Sequence, residues 1–318
     1  MIAGAARVLR HAWTHPLNRA GRLAAIGRVL YWQLRARVGS SPVALPFIDD
    51  TRLYATRGAH GVTGNWYCGL HEAAPMAFAL HLLRPGDLFV DVGANLGSYT
   101  VLAAGAAGAQ VVAVEPVPRS FAHLHANVRL NALQSHVRCC AVGLSDKAGM
   151  RRFTVDRGSE NRLIEADAGS DDCDEDDFEA ESGDDADTGS GAGVRLPVAR
   201  LDELLAGAVP LLVKVDVEGH EVAVLRGAGR LLADPRLQAL IVETDPRRGA
   251  ADGEDGALRR LLVDSGFTPM HYDYGARRLR PASAVSAAEL NTLFVRDVAW
   301  AEERLRQAPR FRLVNGTI

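Results

Sequence analysis

The chain has 318 residues, enough to bury a substantial core as one large domain or two ordinary ones. Hydrophobic residues at 47% and charged residues at 24% match soluble globular proteins, which excludes wholesale disorder and a multispan membrane protein. The formal net charge of -3 conceals a segregation: thirteen of the 39 Asp and Glu lie between Leu163 and Val194, a stretch without Lys or Arg, so the rest of the chain is basic.

The first acid is Asp49, and Arg7, Arg10, Arg19, Arg22, Arg28, Arg35 and Arg37 precede it. Between Arg19 and Arg37, Leu23, Ile26, Leu30, Trp32 and Leu34 recur at roughly helical spacing, which predicts an amphipathic leader. Such a leader packs on the body as a solvated helix or makes peripheral contact with an anionic membrane surface. No run approaches the roughly 18 apolar residues of a spanning helix, and no secretory signal is read. From Val43 to Tyr67, short runs punctuated by Gly58, Gly61 and Gly64 predict small strands and turns that cap the main domain.

The main domain alternates apolar strands with helical segments, the pattern of βαβ units on a mostly parallel sheet. Strands are expected at Leu88 to Val92, Val111 to Glu115, Val137 to Val142, Leu211 to Val217, Leu237 to Glu243, Phe267 to Tyr272 and Asn291 to Val295. Helices are expected at Gly97 to Ala107, Arg119 to Asn131, Glu221 to Leu232 and Leu258 to Gly266. The fold class is therefore α/β, with a doubly wound seven-stranded sheet and a helical N-terminal extension. The acidic stretch 163–194 has too little apolar surface to offset the entropy of ordering and is expected as a disordered insertion. The domain plan is 1–62 for leader and cap, 63–300 for the main domain and 301–318 for a tail. Cys68, Cys139, Cys140 and Cys173 form no C-x-x-C pair and no Cys/His cluster with metal-ligand spacing. No metal and no disulfide framework are expected, and a reducing cytoplasm fits best.

The densest chemical signal is Val90-Asp91-Val92-Gly93-Ala94-Asn95-Leu96-Gly97, a strand entering a glycine turn and a helix. Gly93 and Gly97 permit close approach of backbone to a ligand, and the helix start offers free amides. Asn95 stands where a dinucleotide fingerprint wants its second glycine, which disfavours NAD. Asp91 suits the sulfonium and ammonium of S-adenosylmethionine better than a pyrophosphate. Glu115, ending the next strand, can accept the ribose hydroxyls of either nucleotide. In Lys214-Val-Asp-Val-Glu-Gly-His-Glu221 a strand ends in carboxylates and a histidine before a helix. Asp216 and Glu218 point the same way if the strand persists. Any of Asp216, Glu218 and His220 could take a proton from an acceptor hydroxyl.

These blocks, with Val114-Glu-Pro116, Leu225-Arg-Gly-Ala228 and Asn291-Thr-Leu-Phe-Val295, resemble FkbM-family methyltransferases in order and spacing over roughly Thr63 to Arg296. The resemblance implies a Rossmann-like class I methyltransferase fold. It also implies S-adenosylmethionine held by Asp91, Gly93, Asn95, Gly97, Glu115 and Ala141, with Glu72 near the cofactor and Asp216 beside the methyl group. The acceptor it implies is a hydroxyl on a sugar, glycan, lipid-linked or polyketide-like molecule. An NAD-dependent oxidoreductase and a non-catalytic adenosine-binding scaffold are the alternatives. Dispersed arginines with few interleaved aromatics argue against a nucleic-acid partner.

Overall fold

A computed structural model of the chain describes residues 2–39, 42–154, 163–164, 193–244, 254–282 and 291–318. It begins with two helices, α1 (Ile2–Thr14) and α2 (Arg22–Val38), followed by an antiparallel pair, Val43–Pro46 with Arg52–Ala55. Two further helices, α3 (His60–Cys68) and α4 (Ala73–Leu82), lead into the central sheet. Among the described residues no helix is long and apolar enough to cross a membrane.

The central sheet has strands β1 (Leu88–Val92), β2 (Gln110–Val114), β3 (Val137–Cys140), β4 (Leu212–Val215), β5 (Ala239–Glu243), β6 (Thr268–Asp273), β7 (Arg278–Pro281) and β8 (Asn291–Val295). Their spatial order is β7-β6-β8-β5-β4-β1-β2-β3, parallel from β5 to β3 and antiparallel at the β6–β8 end. The expected doubly wound sheet is present with one strand more than the seven read. Arg278–Pro281 is short, charged and at the edge, so it carries no alternation by which to find it.

Successive residues of the parallel strands point to opposite faces, and both faces are buried. Phe89, Val111, Ala113, Leu212 and Ile241 join one core with α2, α3, α4 and the helices after β1. Val90, Val92, Val112, Val114, Val213, Val215, Leu240 and Val242 join a second core on the other face. Chain direction diverges from β1 to its two neighbours, so β2 and β3 lie on one side and β4 and β5 on the other. In open α/β sheets ligands bind at that switch point, outside the carboxyl ends of the strands.

Several local expectations change. Val43–Tyr67 was expected as strands and turns, yet His60–Cys68 is a helix, and Gly61 and Gly64 lie inside it. Gly64 is there for space, since a Cβ at that position would lie 2.4 Å from Nδ1 of His71. The helix expected over Glu221 to Leu232 is broken into Glu221–Arg226 and Gly229–Ala233. A Cβ on Gly227, at the break, would meet the Ser145 carbonyl oxygen at 2.2 Å. At the ends of the acidic stretch, Leu163–Ile164 and Val194–Ala199 are strands rather than insertion. With Gly143–Leu144 and Gly149–Phe153 they form a second, four-stranded sheet. Residues 165–192, which carry the acidic tract and Cys173, lie outside the described residues. The planned boundary at 62/63 falls within α3, and that at 300/301 falls within the helix Val298–Arg306, whose Ala301 and Leu305 are buried.

The two N-terminal helices are bolted to the body. Asn18 Nδ2 donates to the Ala12 and Tyr67 carbonyls, and Arg28 donates to the Tyr67 carbonyl. From the other end of the chain, Asn315 Nδ2 reaches the Leu17 carbonyl, Asn18 Oδ1 and the Cys68 carbonyl.

Candidate active site

The carboxyl ends of β1, β2, β4 and β5 open into a cleft of about 400 Å³, a volume suited to a nucleotide-sized ligand. Its floor is the turn after β1. Gly93, Asn95 and Gly97 all have left-handed backbones, at φ 75°, 49° and 86°. A Cβ on Gly93 would sit 1.8 Å from the Asp216 carbonyl oxygen, so glycine lets the turns after β1 and β4 touch. Asn is one of the few other residues that tolerates the left-handed region.

Glu115 follows β2 and braces this floor. Its Oε2 accepts from the Asn95 amide and its Oε1 from the Val117 amide, each at 2.9 Å. Burial pushes its carboxyl up to about 7, against the pull of those two amides. Asp91 is buried, with Oδ2 accepting from the Thr100 hydroxyl at 2.6 Å. Its Oδ1 has no hydrogen-bond partner among the described residues. Burial raises the Asp91 carboxyl, with Lys214 opposing.

Lys214 is the centre of charge here. It is the register partner of Asp91, places Nζ 2.7 Å from Asp216 Oδ2 and lies 4.8 Å from the centre of the Tyr99 ring. Burial alone would lower its ammonium, but Asp216, Asp91 and Glu72 together raise it above its ordinary value. Glu72 enters from the start of α4, accepting from Tyr99 Oη at 2.7 Å and from Asn291 Nδ2 at 2.8 Å. Burial raises the Glu72 carboxyl, and burial with Glu72 beside it raises the Tyr99 phenol.

The strand does not persist through Asp216 and Glu218 as the sequence suggested, because β4 ends at Val215. Glu218 and Gly219 take positive φ, 55° and 101°, and Glu221 Oε1 accepts from the Val217 and Gly219 amides to hold that turn. A non-glycine residue in this region is strained, and such strain gathers at functional sites. The turn still brings Asp216 and Glu218 together, since carboxylate oxygens of Asp216, Glu218 and Glu243 lie within 4.8 Å of one another. These three oxygens could also hold a hard cation. His220 lines the same cleft, with Nε2 3.0 Å from Ser145 Oγ, which donates in turn to Asp146 Oδ1.

Of the residues expected at the site, Glu72, Asp91, Gly93, Asn95, Glu115, Asp216, Glu218 and His220 line the cleft. Gly97 supports it from below, since a Cβ there would strike Leu124 at 2.7 Å. Ala141 is exposed and outside the lining: β3 ends at Cys140, and the next residues, Val142, Gly143 and Leu144, face the cleft instead. Lys214, Glu243 and Asn291 were not read as site residues. Glu243 and Asn291 meet only because β5 and β8 pair antiparallel in that register. Phe153, from the second sheet, closes one wall, where a Cβ on Gly143 would lie 2.6 Å from its ring. Among the described residues lining the cleft, six carboxylates, Glu72, Asp91, Glu115, Asp216, Glu218 and Glu243, accompany one ammonium, Lys214. The arrangement suits a cationic ligand.

The model of the methyltransferase FkbM domain matches residues 91–269, which span the strand end at Asp91, the whole β4 turn and Glu243. The chain belongs to the FkbM methyltransferase family. Within that family, the 31-O-demethyl-FK506 methyltransferase FkbM of Streptomyces tacrolimicus is 33% identical over 204 residues, 58% of this chain and 74% of that protein. The crystal structure of methyltransferase FkbM from Methylobacillus flagellatus is 13% identical with a TM-score of 0.42, over 86% of this chain and 60% of its own. SMU.1697c from Streptococcus mutans, in complex with SAH, is 10% identical with a TM-score of 0.39, over 70% and 96%. The protein is thus a methyltransferase by family, with the Rossmann-like α/β fold of such enzymes.

Proposed function

We propose that this protein transfers a methyl group from S-adenosylmethionine to a hydroxyl of a sugar, glycan or polyketide-like small molecule. The observation that carries the reading is the buried charge imbalance at the switch point, where Glu72, Asp91 and Asp216 surround Lys214 and Asp91 Oδ1 has no partner among the described residues. A ligand with a sulfonium and an ammonium relieves that imbalance, whereas the pyrophosphate of NAD would add to it. When bound, S-adenosylmethionine supplies an electrophilic methyl group on a cationic sulfur. Asp91, Gly93, Asn95, Gly97, Glu115 and Glu72 would hold it, with Glu115 accepting ribose hydroxyls beside its two amide bonds. The hydroxyl acceptor class is supported by the Streptomyces relative, whose name describes an O-demethyl substrate.

For the chain's own residues the chemistry is positioning and one proton. Asp216, held by Lys214 at 2.7 Å, has one carboxylate oxygen engaged by the ammonium and serves to orient the reacting groups. His220, oriented through Ser145 and Asp146, takes the acceptor proton on a ring nitrogen, the role for which imidazole is best matched near neutrality. Phe153, Val142 and Leu144 form the apolar wall against which the acceptor lies, holding it in line for displacement.

Calorimetric titration of the protein with S-adenosylmethionine and, separately, with NAD tests the cofactor. Micromolar binding of the former, weakened at least tenfold by Glu115→Ala, is expected; binding of NAD alone would overturn the reading. A radiolabelled-methyl screen of hydroxylated macrolides and glycosides then tests the acceptor class.

A further inference from the structure

Three imidazoles and a thiol meet where the N-terminal helices join the body. His11 in the last turn of α1 and His15 just beyond it are four residues apart, and the His15 amide bonds to the His11 carbonyl at 3.0 Å, so the two rings share one face. The ring centres are 5.4 Å apart, and that of His71 is 5.2 Å from His11. Cys68, the fully buried last residue of α3, closes the group. Ligand atoms of His11, His15 and Cys68 all lie within 4.8 Å of one another. Sequence spacing could not show this cluster, because Cys68 reaches the histidines only when α3 packs against α1 and α2.

The hydrogen bonding fixes the state of His15. Its Nε2 is 3.2 Å from the His71 carbonyl oxygen, which can only accept, so Nε2 carries the proton and the lone pair is on Nδ1. That Nδ1 is buried on a residue only 6% exposed and has no hydrogen-bond partner among the described residues. A buried acceptor left without a partner is costly and calls for an explanation such as an ion. A ring that donates one N–H to a carbonyl and keeps the other nitrogen without a hydrogen bond, beside a cysteine and a second histidine, is the usual arrangement of a metal-bound histidine.

We propose that His11, His15 and Cys68 form a structural site for a borderline-soft divalent cation of the zinc type, with water in the fourth position. Two imidazole nitrogens and a sulfur are the donor set that zinc takes. Burial keeps the imidazoles neutral, as ligands must be, with His15 lowered to about 4. Burial pushes the Cys68 thiol up to about 12, so the metal must displace its proton, with Arg28 assisting. The ion would tie the end of α1 to the end of α3. From there Gly69 to Glu72 runs directly into the cleft, so the site braces the wall that carries Glu72.

The test uses the untagged full chain, loaded with zinc, dialysed and assayed by atomic emission, and then titrated with cobalt while the thiolate-to-cobalt absorption band is followed. One equivalent of zinc and a band that Cys68→Ser abolishes are expected. His11→Asn, at an exposed position that leaves the fold intact, should weaken retention at least tenfold. Retention well below one equivalent overturns the proposal, as does an unchanged affinity in His11→Asn. Loss of the ion in Glu243→Gln but not in His11→Asn would place it among the cleft carboxylates and overturn it equally.

A different observation supports a surface. On α2, Ala25, Val29 and Trp32 pack inward, yet Leu23, Leu30, Tyr31, Leu34 and Val38 are exposed, Leu23 by 80% and Val38 by 89%. At about 100° per residue these five fall within an arc of about 100°, flanked by Arg22, Arg35 and Arg37. The first 48 residues contain seven arginines and no acid. We infer that this face lies on an anionic lipid surface, its apolar stripe entering the headgroup region and its arginines pairing with phosphates. Co-sedimentation of the full chain with phosphatidylglycerol-containing vesicles should exceed that with phosphatidylcholine alone at least tenfold and fall as much in Leu30→Glu/Leu34→Glu. Equal sedimentation with both vesicles overturns this, as does a dimer in light scattering that the double variant dissociates.

Discussion

Lys214 stands opposite Asp91 in the parallel register of β4 and β1 while its Nζ pairs with Asp216 at 2.7 Å. One ammonium therefore neutralises carboxylates from both sides of the switch point. Lys214→Met removes it and leaves buried charge uncompensated, so stability at pH 7.5 should fall by about 3 kcal/mol. Asp91 and Glu72 already have raised carboxyls, and protonating them relieves the repulsion. The deficit should therefore shrink as pH falls toward 5, which thermal melts across that range would show; a deficit independent of pH would contradict the electrostatic account.

Glu115 yields a separate pH signature. Its folded carboxyl is raised to about 7 from 4.5, so the folded state holds the proton more tightly than the unfolded state. That contribution is complete below pH 4.5 and is lost as pH rises through 7, about 3 kcal/mol in all. Glu115→Gln should flatten the slope of ligand-free stability between pH 4.5 and 7, at the expense of one of the two amide bonds. Denaturant melts of both proteins at half-unit pH steps measure it.

Gly93→Ala should be severe for two reasons that act together. The new Cβ would be 1.8 Å from the Asp216 carbonyl oxygen, and φ of 75° is unfavourable for alanine. The turns after β1 and β4 would have to separate, with a loss of at least about 2 kcal/mol and of cofactor binding. Gly86→Ala also has positive φ, but with no atom near its Cβ, and serves as the matched control with binding intact.

On the acceptor side, His220→Ala should lower kcat by about 10² to 10⁴ while the cofactor Kd stays within a factor of three. Steady-state rates as a function of pH check the assignment, since the limb due to the base should vanish. If Glu218→Gln removes that limb and His220→Ala does not, Glu218 is the base.

Phe153→Ala should raise the KM for the acceptor without changing the cofactor Kd, because Phe153 belongs to the second sheet and not to the turn after β1. A weakened cofactor Kd in this variant would show that the second sheet serves the other ligand.

The parts of the fold that were legible are those in which local pattern and burial agree. Leu88–Val92 and Asn291–Val295 begin and end where expected, because each is a short segment dominated by apolar residues, as a strand buried on both faces requires. Helix α4 went unread for the opposite reason: Ala73, Pro75 to Leu82 are buried on every side, so the segment has no helical period. The second sheet was hidden because Gly149–Phe153 and Val194–Ala199 are partners across the acidic stretch. At the site, carboxylates on glycine turns announced themselves, whereas Lys214 matters through burial and Glu243 and Asn291 through antiparallel register. Lys214 and Asn291 stand inside the quoted blocks, but nothing in their spacing tells that they meet the carboxylates of the cleft.

The Asn315 amide that reaches Leu17, Asn18 and Cys68 joins residues from opposite ends of the sequence. Gly69, whose Cβ would lie 2.3 Å from Asn315 Oδ1, keeps that junction open for it. Asn315 stands 298 residues from Leu17, so this clasp closes a loop that takes in the whole central sheet. The basic helices are therefore held from both sides of that loop, and any opening of the body that parts Leu17 from Asn315 also releases their grip on Cys68.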